Sequence, residues 1–228
     1  MRWLPVSNQT PPPAATQPPD DSKSFADLMV GLKQAKSEVR EPADWLVAVA
    51  VINRLLKLQP EDPYIRKELA LATYKSKQPD ALAALQKAKR VLEPLQPETS
   101  SDSETVGLWG AIHKRLWQTA SQPEDLARAI RAYARGYFIR NDYYNGINFA
   151  FLLNERAARS TGDDAIADRV VARRIRREVL DLCDAALAAG TLGASEVLWV
   201  GATQAEALLG LGRQDEAQAL RQRILASP

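Results

Sequence analysis

The sequence predicts an all-α protein of about ten helices, paired into hairpins that stack as a right-handed solenoid. Three observations carry that prediction. From Ser22 onward apolar residues recur at helical spacing, prolines stand where helices should begin, and nothing alternates with period two for long enough to make a strand. The 228 residues, 46% of them apolar, suffice for a sizeable core or a long thin one.

Residues 1–21 stand apart. Pro5, Pro11, Pro12, Pro13, Pro18 and Pro19 exclude both helix and ladder, so the segment is expected to be a disordered, Pro-rich arm of polyproline character. Trp3 and Leu4 belong to this unattached tail, docking on a neighbouring molecule being the alternative. The helical-repeat domain is expected over residues 22–228. In "FADLMVGLKQA" the residues Phe25, Leu28, Met29 and Leu32 form one apolar stripe. Pro42, Pro63, Pro79 and Pro123 then open four further helical segments, because proline is tolerated in a first helical turn and not deeper.

Evenly spaced helices call for a test of internal repetition. Ala48, Ile52, Leu55 and Pro60 stand at the offsets at which the tetratricopeptide pattern places its small, large, small and exit-proline residues, and Leu69-Ala70 follows where the next repeat carries Leu-Gly. The last hairpin repeats the match with Ala205, Leu208, Gly212 and Ala217. Between them the pattern degenerates: the stretch from Gly110 to Ala129 is about seven residues too long, so "TASQPED" is expected to bulge as a loop.

The run "YYNGINFAFLL" (143–153) raises the question of a phosphate-cradling loop. That reading needs several glycines between strand and helix with a Lys-Ser/Thr pair, and none is present. Ala150 and Leu153 instead take the small and large positions of a first helix. Gly146 and Asn148 are expected in the turn before them, Gly146 permitting close approach of the preceding helix at about 1 kcal/mol of propensity, Asn148 bonding a neighbouring backbone.

Gly110, Ile112 and Lys114, then Tyr143, Gly146, Ile147, Asn148, Ala150, Leu152 and Leu153, then Trp199, form a series that resembles the TRAF-binding region of apoptosis-signalling MAP kinase kinase kinases and its bacterial relatives. The resemblance covers roughly residues 104–212. It implies a helical-repeat regulatory module that binds other proteins within a signalling or stress-response system. No kinase segment accompanies it, since Gly-rich loop, His-Arg-Asp and Asp-Phe-Gly are all missing, which favours a bacterial setting.

Composition narrows the chemistry. A net charge of +2 does not make nucleic acid or an anionic membrane the default partner. No apolar run approaches the roughly 20 residues of a membrane span, and the start lacks a secretory segment, so a cytoplasmic protein is expected. One cysteine, Cys183, and one histidine, His113, make neither a disulfide nor a metal cluster. Cys183, among apolar residues at helical spacing, is expected to be an inert, half-buried thiol. His113 is read as a surface or hairpin-packing residue, able to act as a base only if a carboxylate of another helix orients it. Acidic residues fall at helix starts (Asp20, Asp21, Glu61, Asp62, Glu124, Asp125, Asp163, Asp164), where they favour the positive end of the helix dipole. The chain is therefore read as no enzyme, with no cofactor.

In the repeat register Lys114, Arg115, Tyr144 and Asn154 should face a concave groove suited to an extended or acidic peptide. The alternative partner is RNA or DNA, held by Arg169, Arg173, Arg174, Arg176 and Arg177 on one helix. In that helix Val170, Val171, Ile175 and Val179 are expected to pack, and the flanking acids, Asp168, Glu178, Asp181 and Asp184 among them, to pair with the arginines. The oligomeric state is left open.

Overall fold

A computed structural model describes residues 23–226; the Pro-rich arm, Asp20 and Asp21 lie outside the described residues. These form ten α-helices and no strand: α1 (Phe25–Ser37), α2 (Trp45–Leu58), α3 (Pro63–Ser76), α4 (Ala81–Leu92), α5 (Ser103–Ala120), α6 (Pro123–Arg140), α7 (Tyr143–Ala157), α8 (Gly162–Ala188), α9 (Ala194–Gly210) and α10 (Gln214–Ala226). None is long and apolar enough to cross a membrane.

Local chemistry starts each helix. The Ser24 and Asp27 side chains cap α1 reciprocally, and Asp62, Asp80, Asp102 and Asp142 accept backbone N–H groups at the starts of α3, α4, α5 and α7. Pro63 and Pro123 are first residues of α3 and α6, as expected. Pro42 opens a 3-10 turn (Pro42–Asp44) ahead of α2, and Pro79 does not open α4, which Asp80 caps one residue later.

Each helix packs chiefly on its sequence neighbours, with added contact between alternate helices (α3 with α5, α7 with α9), the pattern of stacked hairpins. The core is correspondingly a row of three apolar clusters: α1–α3, then α3–α6, then α5–α9. Ala48, Ile52 and Leu55 are fully buried, and so are Ala150 and Ala217, which places the small-residue positions where helices cross.

"TASQPED" does not form a loop. Ser121 takes the left-handed conformation (φ 55°) and its N–H donates to Trp117 O at 2.7 Å, ending α5; Gln122 and Pro123 begin α6 at once. The surplus residues instead lengthen both helices to 18 residues each. Gly146 and Asn148 likewise lie inside α7 and not in a turn before it. Cys183 is fully buried rather than half-buried, and desolvation pushes its thiol up to about 12, which keeps it protonated and inert.

Candidate functional site

The first helices of the hairpins, α3, α5, α7 and α9, line one face. Between α3, α5 and the start of α7 that face holds an open cavity of about 670 Å³, walled by Lys67, Tyr74, Leu108, Arg140 and Tyr144 among others. Its rim is stiffened by Lys67 of α3, which bonds Asp102 (3.0 Å) and Glu104 at the start of α5. Against the desolvation that raises it, hydrogen bonds from Thr105 and Lys67 hold the Asp102 carboxyl down at about 2.

α5 divides the expected groove residues between two directions. Arg115 leans back toward α3, its guanidinium 4.9 Å from the Tyr74 ring centre while Nη1 donates to Ala111 O. Lys114 leans forward to α7, donating to Asn148 Oδ1 at 2.8 Å and lying 4.5 Å over the Phe151 ring. Tyr144 is exposed and stands edge-on to the buried Tyr133 at 6.1 Å. Gly110 makes room for that ring, since a Cβ there would fall 3.0 Å from it. Asn148 Nδ2 donates to Tyr144 O of its own helix, so the expected backbone bond is made within α7.

Asn154, the fourth residue, lies beside Arg176 of α8: with its amide oriented to accept, its oxygen takes Nη1 at 3.0 Å and Nη2 at 3.2 Å. Arg176 is 4% exposed, and its Nε has no partner among the described residues. Desolvation lowers its pKa and that of Lys114, while the charge of Glu206 on α9 opposes both shifts. Glu206 is raised in turn by desolvation, against the lowering pull of Lys114 and Arg176. Among the described residues neither Lys114, Arg115 nor Arg176 is ion-paired.

Of the Arg-rich run only Arg176 is buried; Arg169, Arg173, Arg174 and Arg177 are exposed. Arg176 turns inward, Arg169 Nη2 donates to Ala157 O at 3.3 Å, and Arg174 pairs with Glu178 at 3.0 Å. Asp168 pairs with Arg156 of α7 at 2.7 Å and not with the arginines of its own helix, and Asp184 accepts from Gln204. Val170 and Val171 are exposed, so only Ile175 and Val179 of the four expected positions pack.

Sequence reasoning missed Arg176 as a buried cation beside Asn154, and the Tyr74 and Phe151 rings beside Arg115 and Lys114. A signal existed for the first: Arg176 shares the inward stripe of Ala165, Asp168, Ala172, Val179 and Cys183, at steps of three and four. Gly210 provides its berth, because a Cβ there would fall inside the guanidinium. The Gly210→Ala variant is expected to push this flexible side chain off Asn154 at about 1 kcal/mol of stability, a shift visible as new mobility of Arg176 by NMR; an unmoved Arg176 would contradict the packing described.

Comparison with known proteins agrees with this architecture. Residues 44–153 match the sequence profile of the family Tetratricopeptide Repeats-Sensor. The chain is similar to the crystal structure of a thermophilic tetratricopeptide-repeat protein of Thermus thermophilus, with a TM-score of 0.60 and 17% identity over 89% of this chain and 90% of that one. It is also similar to the crystal structure of the MamA protein, with a TM-score of 0.51 and 12% identity over 88% and 90% of the two chains. No curated protein sequence matches. At these identities the likeness establishes the fold alone: a tetratricopeptide-type helical-repeat protein. The profile match takes in Lys114, Arg115 and Tyr144, ends just before Asn154 and does not reach Arg176.

Proposed function

We propose that this chain is a non-catalytic regulatory module that takes an extended, acidic protein segment along its concave face. One observation carries the reading: Lys114 and Arg115 stand side by side on α5 without an ion-pair partner among the described residues, and Arg176, buried beside Asn154, has none either. A desolvated cation is costly unless an anion meets it. Asn148 and Asn154 hold Lys114 and Arg176 in place, while the Tyr74 ring lies against Arg115 and, with Tyr144, offers flat apolar area in the cavity. Glu206 sets the polarity of the design, because a peptide carboxylate would have to take over its share of both cations.

The name of the matching family, with its reference to sensing, supports the regulatory part of the reading. A cytoplasmic setting suits a chain whose single cysteine is a buried free thiol. His113 does meet the condition set for a base, since Asp125 of α6 orients it at 2.6 Å. Both ring nitrogens are nevertheless shut in the hairpin interface, out of reach of any substrate.

Fluorescence anisotropy with labelled Glu-rich and Lys-rich peptides tests the proposal. The acidic peptides are expected to bind. Alanine at Lys114, Arg115 and Tyr144 together should weaken them about 100-fold, two charge-assisted contacts at about 1.5 kcal/mol each. Equal binding of the basic peptide, or an unaffected triple variant, would overturn it.

A further inference from the structure

The outer face of α8 follows a different logic from the groove. At 27 residues α8 is the longest helix described, and its inward stripe is fully used by packing on α7 and α9. The opposite stripe runs, at steps of three and four, through Ile166, Val170, Arg173, Arg177, Asp181 and Asp184, all of them exposed. Its charges are segregated along the axis, cations first and acids after. Arg177 and Asp181 stand at i, i+4, the spacing at which opposite charges can pair within one helix. Here Arg173, Arg177 and Asp181 make no ion pair among the described residues. Asp163 and Asp164 suit the helix dipole in the first turn, but the end of the helix opposes it, because acids occupy the last two turns and the final turn carries no basic residue.

Such a stripe is complementary to itself. We propose that α8 pairs antiparallel with α8 of a second copy, about a two-fold axis level with residue 179, forming an isologous dimer. Arg177 of each copy then meets Asp181 of the other, Arg173 comes within a residue of Asp184, and Val170 covers Ala188, with Ile166 beyond it. The cross-pairs give ion-pair partners to Arg173, Arg177 and Asp181 and a cation to Asp184, which the single chain matches only with the Gln204 amide, and the exposed Ile166 (58%) and Val170 (49%) lose water. The concave groove stays open on the far side of the hairpin, so the dimer would present two grooves.

Sedimentation velocity of the full chain over a concentration series tests this. The wild type is expected to dimerise, with the dissociation constant rising at least about tenfold between low and moderate salt. Arg177→Asp and Asp181→Arg each place like charges across the axis and should be monomeric, with helical content unchanged because both positions are exposed. The decisive arm is the equimolar mixture of the two variants: it should restore a heterodimer, since positions 177 and 181 are both acidic in one and both basic in the other, while Arg173 still meets Asp184. A monomer at every concentration, a dimer indifferent to both reversals, or an unrestored mixture overturns the proposal. So does co-sedimentation with added RNA or DNA that Arg177→Asp abolishes while the protein alone stays monomeric.

Discussion

Gly146→Leu is expected to lower stability by about 3 kcal/mol or more, at the upper end of what overpacking costs. Gly146 lies in the first turn of α7, where three helices meet. A Cβ there would stand 2.7 Å from Val179 Cγ2 of α8 and 3.0 Å from the Tyr137 ring of α6. Neither neighbour can retreat: Val179 is fully buried, and Tyr137 is 3% exposed with its hydroxyl donating to Glu178 at 2.6 Å. The close approach read from the sequence thus involves the helix after α7 as well as the one before it. Ala150→Trp, at a fully buried small-residue position one turn on, should act in the same direction. In a chain of this size each kcal/mol moves the melting midpoint by about 2–4 °C, so a fall of about 6–12 °C is expected for Gly146→Leu. Unchanged melting in both variants would refute the packing of this hairpin.

What the sequence disclosed, and what it hid, follows from which interactions are local. Helix starts at Pro63 and Pro123 were legible because proline fixes the first turn by itself; Pro79 misled because the adjacent Asp80 is the stronger cap. The crossings at Ala48, Ala150 and Ala217 were legible because a repeat register needs only small residues at fixed offsets. Counting against a fixed repeat length then assigned the surplus around Ser121 to a loop, since a left-handed cap that lets two helices grow longer leaves no trace in residue spacing. The first-helix face was half visible. Register placed Lys114 and Tyr144 on the first-helix face, but not that Lys114 and Arg115 would diverge around α5 toward different neighbours. Arg176 was concealed within a run of arginines, where composition suggests a shared surface and only the stripe it shares with Ala172 and Val179 shows that it turns inward.

His113→Ala is expected to cost about 3 kcal/mol and, more tellingly, to remove a pH dependence. His113 is fully buried between α5 and α6, with Nδ1 2.6 Å from Asp125 Oδ1 and its ring edge-on to Trp109 at 4.4 Å. Truncation leaves a cavity and strips the Asp125 carboxylate of its charge-assisted bond. Burial holds the His113 pKa below its ordinary value; the bond and charge of Asp125 resist that shift, and Lys89 and Arg128 reinforce it. The folded chain therefore binds this proton less readily than the unfolded chain, whose histidine titrates near about 6.5. Between the lowered value and about 6.5 the unfolded state carries more protons, so stability rises with pH across that window, is complete above it, and is lost as the pH falls through it. Urea midpoints at pH about 5.5 and about 7.5 should differ more in the wild type than in His113→Ala, because carboxylate titrations are common to both. An equal slope in the two proteins would mean that Asp125 cancels the effect of burial, and a smaller rise in the wild type that the dyad is a buried ion pair instead of a neutral imidazole held by a carboxylate.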